Sequence, residues 1–411
     1  MRTDSCRRFL ILVPMVFPDG NSVARATHMI AKALESQGAK VFVLSRWSSM
    51  TKQEPAESAI SVVAFGHVNP FARLDSRGGI GRWVWIKSTI AIALASAWRV
   101  AIGGADGVIV YGPSPLFLPA VAVACVLRRQ FAYAQYDLYR PNSQDYWWKQ
   151  RAAALYESTE RFFARNASLL LVSESELLLR RFAELAPNSP ALPNWPPIDF
   201  GFFANGNPES GRDLCGVQLG TPLIVYVGAI SRLEGVDILI EAMKEVRAAI
   251  PEARLIIAGA VWSDILPGLP PDFTALPNKY GIADKVRFVG TVDKEAVRNL
   301  LAAADCLVMP KRAHAGNEAA SPIKLGEYLA SGRPVVASRV CGIEKWLKAG
   351  REILFCAPGN SRSLARVITT VLRHPDWADR IAKRGRLVGE EHCSYQRWGE
   401  RMLKAWASIR K

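Results

Sequence analysis

The sequence predicts two α/β domains, each built on a doubly wound parallel sheet. Three observations carry that reading. Short β-branched or Leu-rich runs alternate with longer helical patterns along the whole chain, as strands and crossover helices do. The 411 residues, half of them apolar, suffice for two cores of ordinary size. Near the middle, the stretch 194–221 is rich in Pro, Gly and Asn, lacks either periodicity and suits a linker.

Strands of the first half are expected at 9–13, 40–44, 107–111, 131–134, 169–172 and 191–193, and those of the second at 223–227, 254–258, 286–289, 306–309, 334–337 and 353–355. The N-terminus admits two readings. Arg2, Arg7 and Arg8 before the apolar run 9–17, with Ala24-Arg25-Ala26 as a small-x-small site, resemble a secretion signal. Asp4, Pro14 and the amphipathic pattern of 22–37 favour a first strand, loop and helix instead. Helices are expected at 361–373, 376–388 and 394–410, the last with Trp398, Met402 and Trp406 at packing spacing. The domains then run 1–198 and 199–393, with helix 394–411 packing back on the first. The apolar stretches 90–98 and 116–127 fall short of the ~18 residues that a spanning helix needs.

Composition narrows the function classes. A net charge of +15 points to anionic partners, but it is spread over both halves, and no recognition motif accompanies it, so nucleic acid is disfavoured. Seven scattered cysteines form no Cys-x-x-Cys pair, which argues against a disulfide framework and for a reducing, cytoplasmic compartment. Five histidines without His-x-x-x-His spacing leave a metal site nothing to stand on.

The stretch 321–336 (SPIKLGEYLASGRPVV) carries the most chemistry. Ser321 reads as an N-cap, Pro322 as the first helical residue and Gly332 as the end of a helix before a buried strand. A helix N-terminus attracts phosphate through its unpaired N–H groups and dipole. Lys324 and Glu327, three apart, lie on one helical face. The ammonium suits a diphosphate and the carboxylate suits two adjacent ribose hydroxyls, although a simple surface ion pair fits the spacing equally well.

This stretch resembles the signature helix of retaining glycosyltransferases of family 4, in the variant S-P-x-K-x-x-E-Y-x-A-x-G-x-P-V-V. The resemblance extends to 224–228 with 235–242, to 284–290, to 304–310, to Pro193-Asn194-Trp195 and to the first loop, 16–22, which keeps one glycine, Gly20, followed by Asn21. It implies a GT-B fold, two Rossmann-like domains facing across a cleft, and a nucleotide diphosphate sugar as donor with no metal or other cofactor required. By this likeness Glu327 binds the donor ribose. Ser321, Pro322, Ile323 and Lys324 face the diphosphate and sugar, with Gly228, Gly20 and Asn21 close by.

Departures from the family pattern are specific. Ala229 stands where the family has Arg after Gly228, and Glu234 where it has Lys before Gly235, so either Arg232 and Lys324 supply the positive charge or donor binding is weak, and compensation through Arg232, in the same loop, is the expectation. The family spaces two glutamates eight apart; here Ala319 holds that place and Glu318 is displaced by one, leaving Glu318 to position the transferred sugar. In the first domain Asp137, after the strand 131–134, either orients an acceptor hydroxyl or caps the next segment.

Arg73, Arg77, Arg82, Lys87 and Arg99 interleave with Trp83, Trp85 and Trp98, a pattern suited to an anionic membrane surface or to a core helix with a basic edge. The expectation is therefore a glycosyltransferase acting on a hydroxyl acceptor, lipid-linked or part of a cell-surface polysaccharide, at the inner face of the membrane through 73–99. The contrasting expectations are a silent GT-B module that binds a nucleotide sugar or a partner, and an epimerase of the sugar nucleotide.

Overall fold

The computed structural model describes residues 7–17, 22–48, 60–64, 82–137, 147–262, 266 and 272–409. The chain divides into one unit comprising Met1–Pro197 with Tyr395–Lys411, and a second comprising Ile198–Ser394.

In the first unit β1 (Arg8–Phe17), α1 (Ser22–Glu35), β2 (Lys40–Ser48) and β3 (Ile60–Ala64) lead to α2 (Arg82–Ile102) and β4 (Gly107–Tyr111). There follow α3 (Leu118–Val126), β5 (Phe131–Gln135), α4 (Trp147–Asn166), β6 (Leu169–Val172), α5 (Glu176–Leu185) and β7 (Ala191–Pro193). The seven strands pair in parallel in the order β3-β2-β1-β4-β5-β6-β7. Strands β4, β5 and β6 are buried at every residue, as a sheet covered on both faces requires.

The second unit starts with α6 (Phe200–Ala204) and α7 (Pro208–Cys215), then β8 (Leu223–Val227), α8 (Val236–Ala249), β9 (Arg254–Ala258), α9 (Leu276–Lys279), β10 (Val286–Gly290), α10 (Lys294–Ala303) and β11 (Cys306–Met309). It continues through α11 (Ala315–Ala319), α12 (Ile323–Ala330), β12 (Val335–Ser338), β13 (Leu354–Cys356), α13 (Ser361–Arg373) and α14 (Pro375–Cys393). Its six parallel strands run β10-β9-β8-β11-β12-β13. The chain then returns to the first unit as α15 (Tyr395–Ser408), which packs on α1 and buries Trp398, Met402 and Trp406. The Trp406 ring meets Phe9 of β1 edge-on at 5.6 Å.

Three expectations need correction. Strand β3 adds an edge strand beside β2 that the sequence reading does not include, its five residues following a long polar stretch. The linker reading of 194–221 gives way to two helices. Asp199 Oδ1 accepts from Phe202 N–H at 2.9 Å to cap α6, and Asn207 Oδ1 accepts from Glu209 and Ser210 N–H to cap α7. Pro208 opens α7 and Gly216, at φ 61°, closes it. The Pro, Gly and Asn of this stretch punctuate helices too short to show a period. Finally, α14 runs on past 388 to Cys393.

Candidate active site

In the second unit the chain turns outward in opposite directions from two neighbouring central strands, β8 toward β9 and β11 toward β12. Loops leaving the carboxyl ends of such strands diverge and leave a crevice where ligands bind. The loop after β8 supplies Gly228 to Gly235; the segment after β11 supplies Lys311 and leads to α12.

These segments converge on one carboxylate. Glu234 Oε1 accepts from Lys311 Nζ at 2.6 Å and Glu234 Oε2 from Lys324 Nζ at 2.6 Å. Lys311, 4% exposed, also donates to Asn317 Oδ1 at 2.9 Å, and the Asn317 amide donates to the carbonyls of Leu233 and Arg312. Lys324 donates to the Tyr226 hydroxyl at 3.1 Å and lies 4.7 Å from the centre of that ring. Two of the three N–H donors of each ammonium are thus placed inside the unit. Burial acts to raise the Glu234 carboxyl, but the charges and hydrogen bonds of Lys311 and Lys324 outweigh it and hold the group at about 2. The cluster of two cations and one anion carries a single net positive charge.

Backbone geometry brings the loops together. Gly228 has φ 153°, and a Cβ there would lie 2.5 Å from Lys324 Nζ; Gly235 has φ 75°, and a Cβ there would lie 1.8 Å from the Pro310 carbonyl oxygen. Only glycine tolerates both the conformation and the approach. Tyr328 ties α12 to the end of β8, since its hydroxyl accepts from Val227 N–H at 2.8 Å and donates to Val227 C=O at 3.1 Å.

The sequence-derived residues fall as follows. Lys324 lies against Gly228, Glu327 is buried three residues further along α12, and Ser321, Pro322 and Ile323 stand at the start of that helix. The helix begins at Ile323 with Pro322 as N-cap and no side-chain cap bond, so Ser321 is not the N-cap; it is buried just before it. Lys324 turns to Glu234, so its ion pair is not the surface pair with Glu327 that spacing allowed. The second cation at Glu234 is Lys311, which motif reading missed, whereas the Arg232 guanidinium donates to the Leu266 carbonyl at 2.7 Å. Glu318 lies on α11, half-buried. Burial raises its carboxyl above the usual range and Glu344 adds to this, against a lowering by Cys341 N–H.

In the first unit Asp137 is exposed just past β5. Beside it Tyr136 is buried, its ring 5.8 Å from Tyr111 at the end of β4, and burial pushes its hydroxyl well above the usual range. Gly20, Asn21 and 73–81 lie outside the described residues. Among those described, six cysteines are free thiols, and no helix is long and apolar enough to cross a membrane.

Residues 221–374, the bulk of the second unit, match the model of the family described as glycosyl transferases group 1. The whole chain has the two-domain, Rossmann-like GT-B fold. It aligns over 98% of its length with sucrose-phosphate synthase of Thermosynechococcus elongatus (99% of that chain, TM-score 0.71, 18% identity) and with HepE of Anabaena in complex with UDP-glucose (99% of that chain, TM-score 0.70, 16% identity). Among curated relatives, D-inositol 3-phosphate glycosyltransferase 2 of Catenulispora acidiphila is 30% identical over 44% of this chain and 42% of its own. A GDP-mannose-dependent mannosyltransferase acting on a monoacylated phosphatidylinositol mannoside, from Corynebacterium glutamicum, is 28% identical over 56% and 59%. The chain spans about half the length of the curated relatives it matches.

Proposed function

We propose that the protein is a glycosyltransferase that moves a sugar, with retention of its anomeric configuration, from a nucleotide diphosphate sugar to a hydroxyl acceptor. The observation that carries the reading is the convergence of Lys311 and Lys324 on Glu234 at the sheet's switch point, with Glu327 buried three residues along α12 from Lys324, inside the segment that matches the group 1 glycosyl transferases. In this reading α12 N–H groups and the two ammoniums stabilise the leaving diphosphate, Glu327 grips the ribose, and Glu318 positions the sugar. Asp137 orients the acceptor hydroxyl.

The names of the similar proteins include both a uridine and a guanosine donor. A thermal-shift panel of nucleotide sugars, followed by an assay of transfer and hydrolysis with the stabilising donor, tests the proposal. A donor that binds without transfer or hydrolysis means a silent binding module, and a donor isomerised without acceptor means an epimerase.

A lipid-linked acceptor fits the surface of the first unit. On α2 the side chains of Ile90, Leu94, Trp98 and Ile102, spaced four apart, are each more than half exposed, as is Val126 at the end of the neighbouring α3. Lys87, Arg99, Arg128 and Arg129 are exposed around them, and Asp106 is the only acidic residue from 76 to 136. Apolar side chains bordered by cations suit an anionic bilayer surface. Flotation with vesicles of phosphatidylglycerol and phosphatidylcholine should carry wild type but not Leu94→Asp/Trp98→Asp. Wild type left at the bottom overturns the membrane contact and leaves the transferase reading untouched.

A further inference from the structure

The two ammoniums at the switch point are already occupied by a carboxylate, and that has a consequence for any phosphate ligand. Glu234 comes from the loop after β8, Lys311 from the segment after β11 and Lys324 from α12, so three chain segments meet at one anion. A carboxylate offers one oxygen to each cation, as a phosphate does. Lys311 is buried and keeps Asn317 Oδ1 as its second partner, so an anion that enters this cluster takes the place Glu234 fills between the two ammoniums.

We propose that Glu234 is an internal counter-anion that sets how tightly the second unit holds a nucleoside diphosphate, because donor or product must share Lys311 and Lys324 with it. The inference rests on the diphosphate reading of this site and goes beyond it by assigning a role to Glu234, the residue that reverses the charge expected there. With Glu234 in place the ligand meets one net positive charge; without it, two. The carboxylate therefore weakens the hold on the diphosphate, which favours release of the nucleoside diphosphate once the sugar has left.

The test is calorimetric titration of UDP, GDP, ADP and inorganic pyrophosphate into wild type, Glu234→Gln and Glu234→Asp at low and high salt. Glutamine keeps the shape and removes the charge. Glu234→Gln is expected to bind the preferred diphosphate about tenfold tighter than wild type, with the gain shrinking at high salt. Glu234→Asp, one methylene too short to span both ammoniums, should lie between, and decides the matter if the glutamine variant does not fold. Under substrate turnover Glu234→Gln should show stronger product inhibition. Binding only by Glu234→Gln also supports the role. Equal or weaker binding by both variants, with wild type binding normally, overturns it and leaves the donor reading standing. If no protein binds any of the four probes, both the role and the donor reading fall.

Discussion

Glu234 makes a pH-dependent contribution to stability whose sign follows from its partners. Its carboxyl is held at about 2, below the ordinary 4.5, so the stabilisation is full above pH 4.5 and is lost as pH falls toward 2. Wild type should exceed Glu234→Gln in stability at pH 6, and that gap should close by up to about 3 kcal/mol between pH 4.5 and 2. Urea midpoints at several pH values measure it, and a constant gap contradicts the pairing. On the proposed donor reading, in which Glu327 grips the ribose, Glu327→Ala is expected to weaken donor binding by ~2 to 4 kcal/mol. Glu318→Ala should instead lower turnover more than donor affinity, readable as kcat against Kd. Single residues were unevenly legible. Lys324 and Glu327 sit within one helical turn, where spacing reports proximity. Lys311 and Lys324 lie 77 and 90 positions from Glu234, and an ion pair across such distances has no local signature.

At the scale of elements, the strands were legible because a parallel sheet covered on both faces demands uninterrupted apolar runs, as in Leu223–Val227 and Cys306–Met309. Helices α6 and α7 were not, because five and eight residues are too few for a 3.6-residue period, and their caps mimic loop composition. The join between α12 and β8 is equally invisible in sequence, since it depends on one phenol reaching one peptide unit. Tyr328→Phe removes the partner of both the N–H and the C=O of half-buried Val227 and should cost about 1 kcal/mol. Gly235→Ala forces a methyl onto the Pro310 carbonyl at a left-handed φ and should cost more than ~1 kcal/mol. Chemical denaturation of the two variants checks both figures.

For the molecule as a whole, alternation of strand and helix patterns was enough to read two Rossmann-like sheets, while the base, sugar and acceptor of the proposed transfer depend on loop contacts that local pattern does not encode. The last helix has a distinct part in this architecture: α15 belongs by packing to the unit that the first 197 residues build. Trp406, fully buried against Phe9, should cost about 3–5 kcal/mol when truncated to Ala, seen as a lowered Tm of the first unit's transition. A fragment ending at residue 197 lacks this cover and should be aggregation-prone, whereas adding a peptide of residues 395–411 should restore its solubility. The same arrangement means that a protease nicking the chain at the 197–198 crossing does not liberate a free lobe. The N-terminal piece stays clasped by a helix carried on the other piece, and the severed protein should still run as a single species on a sizing column.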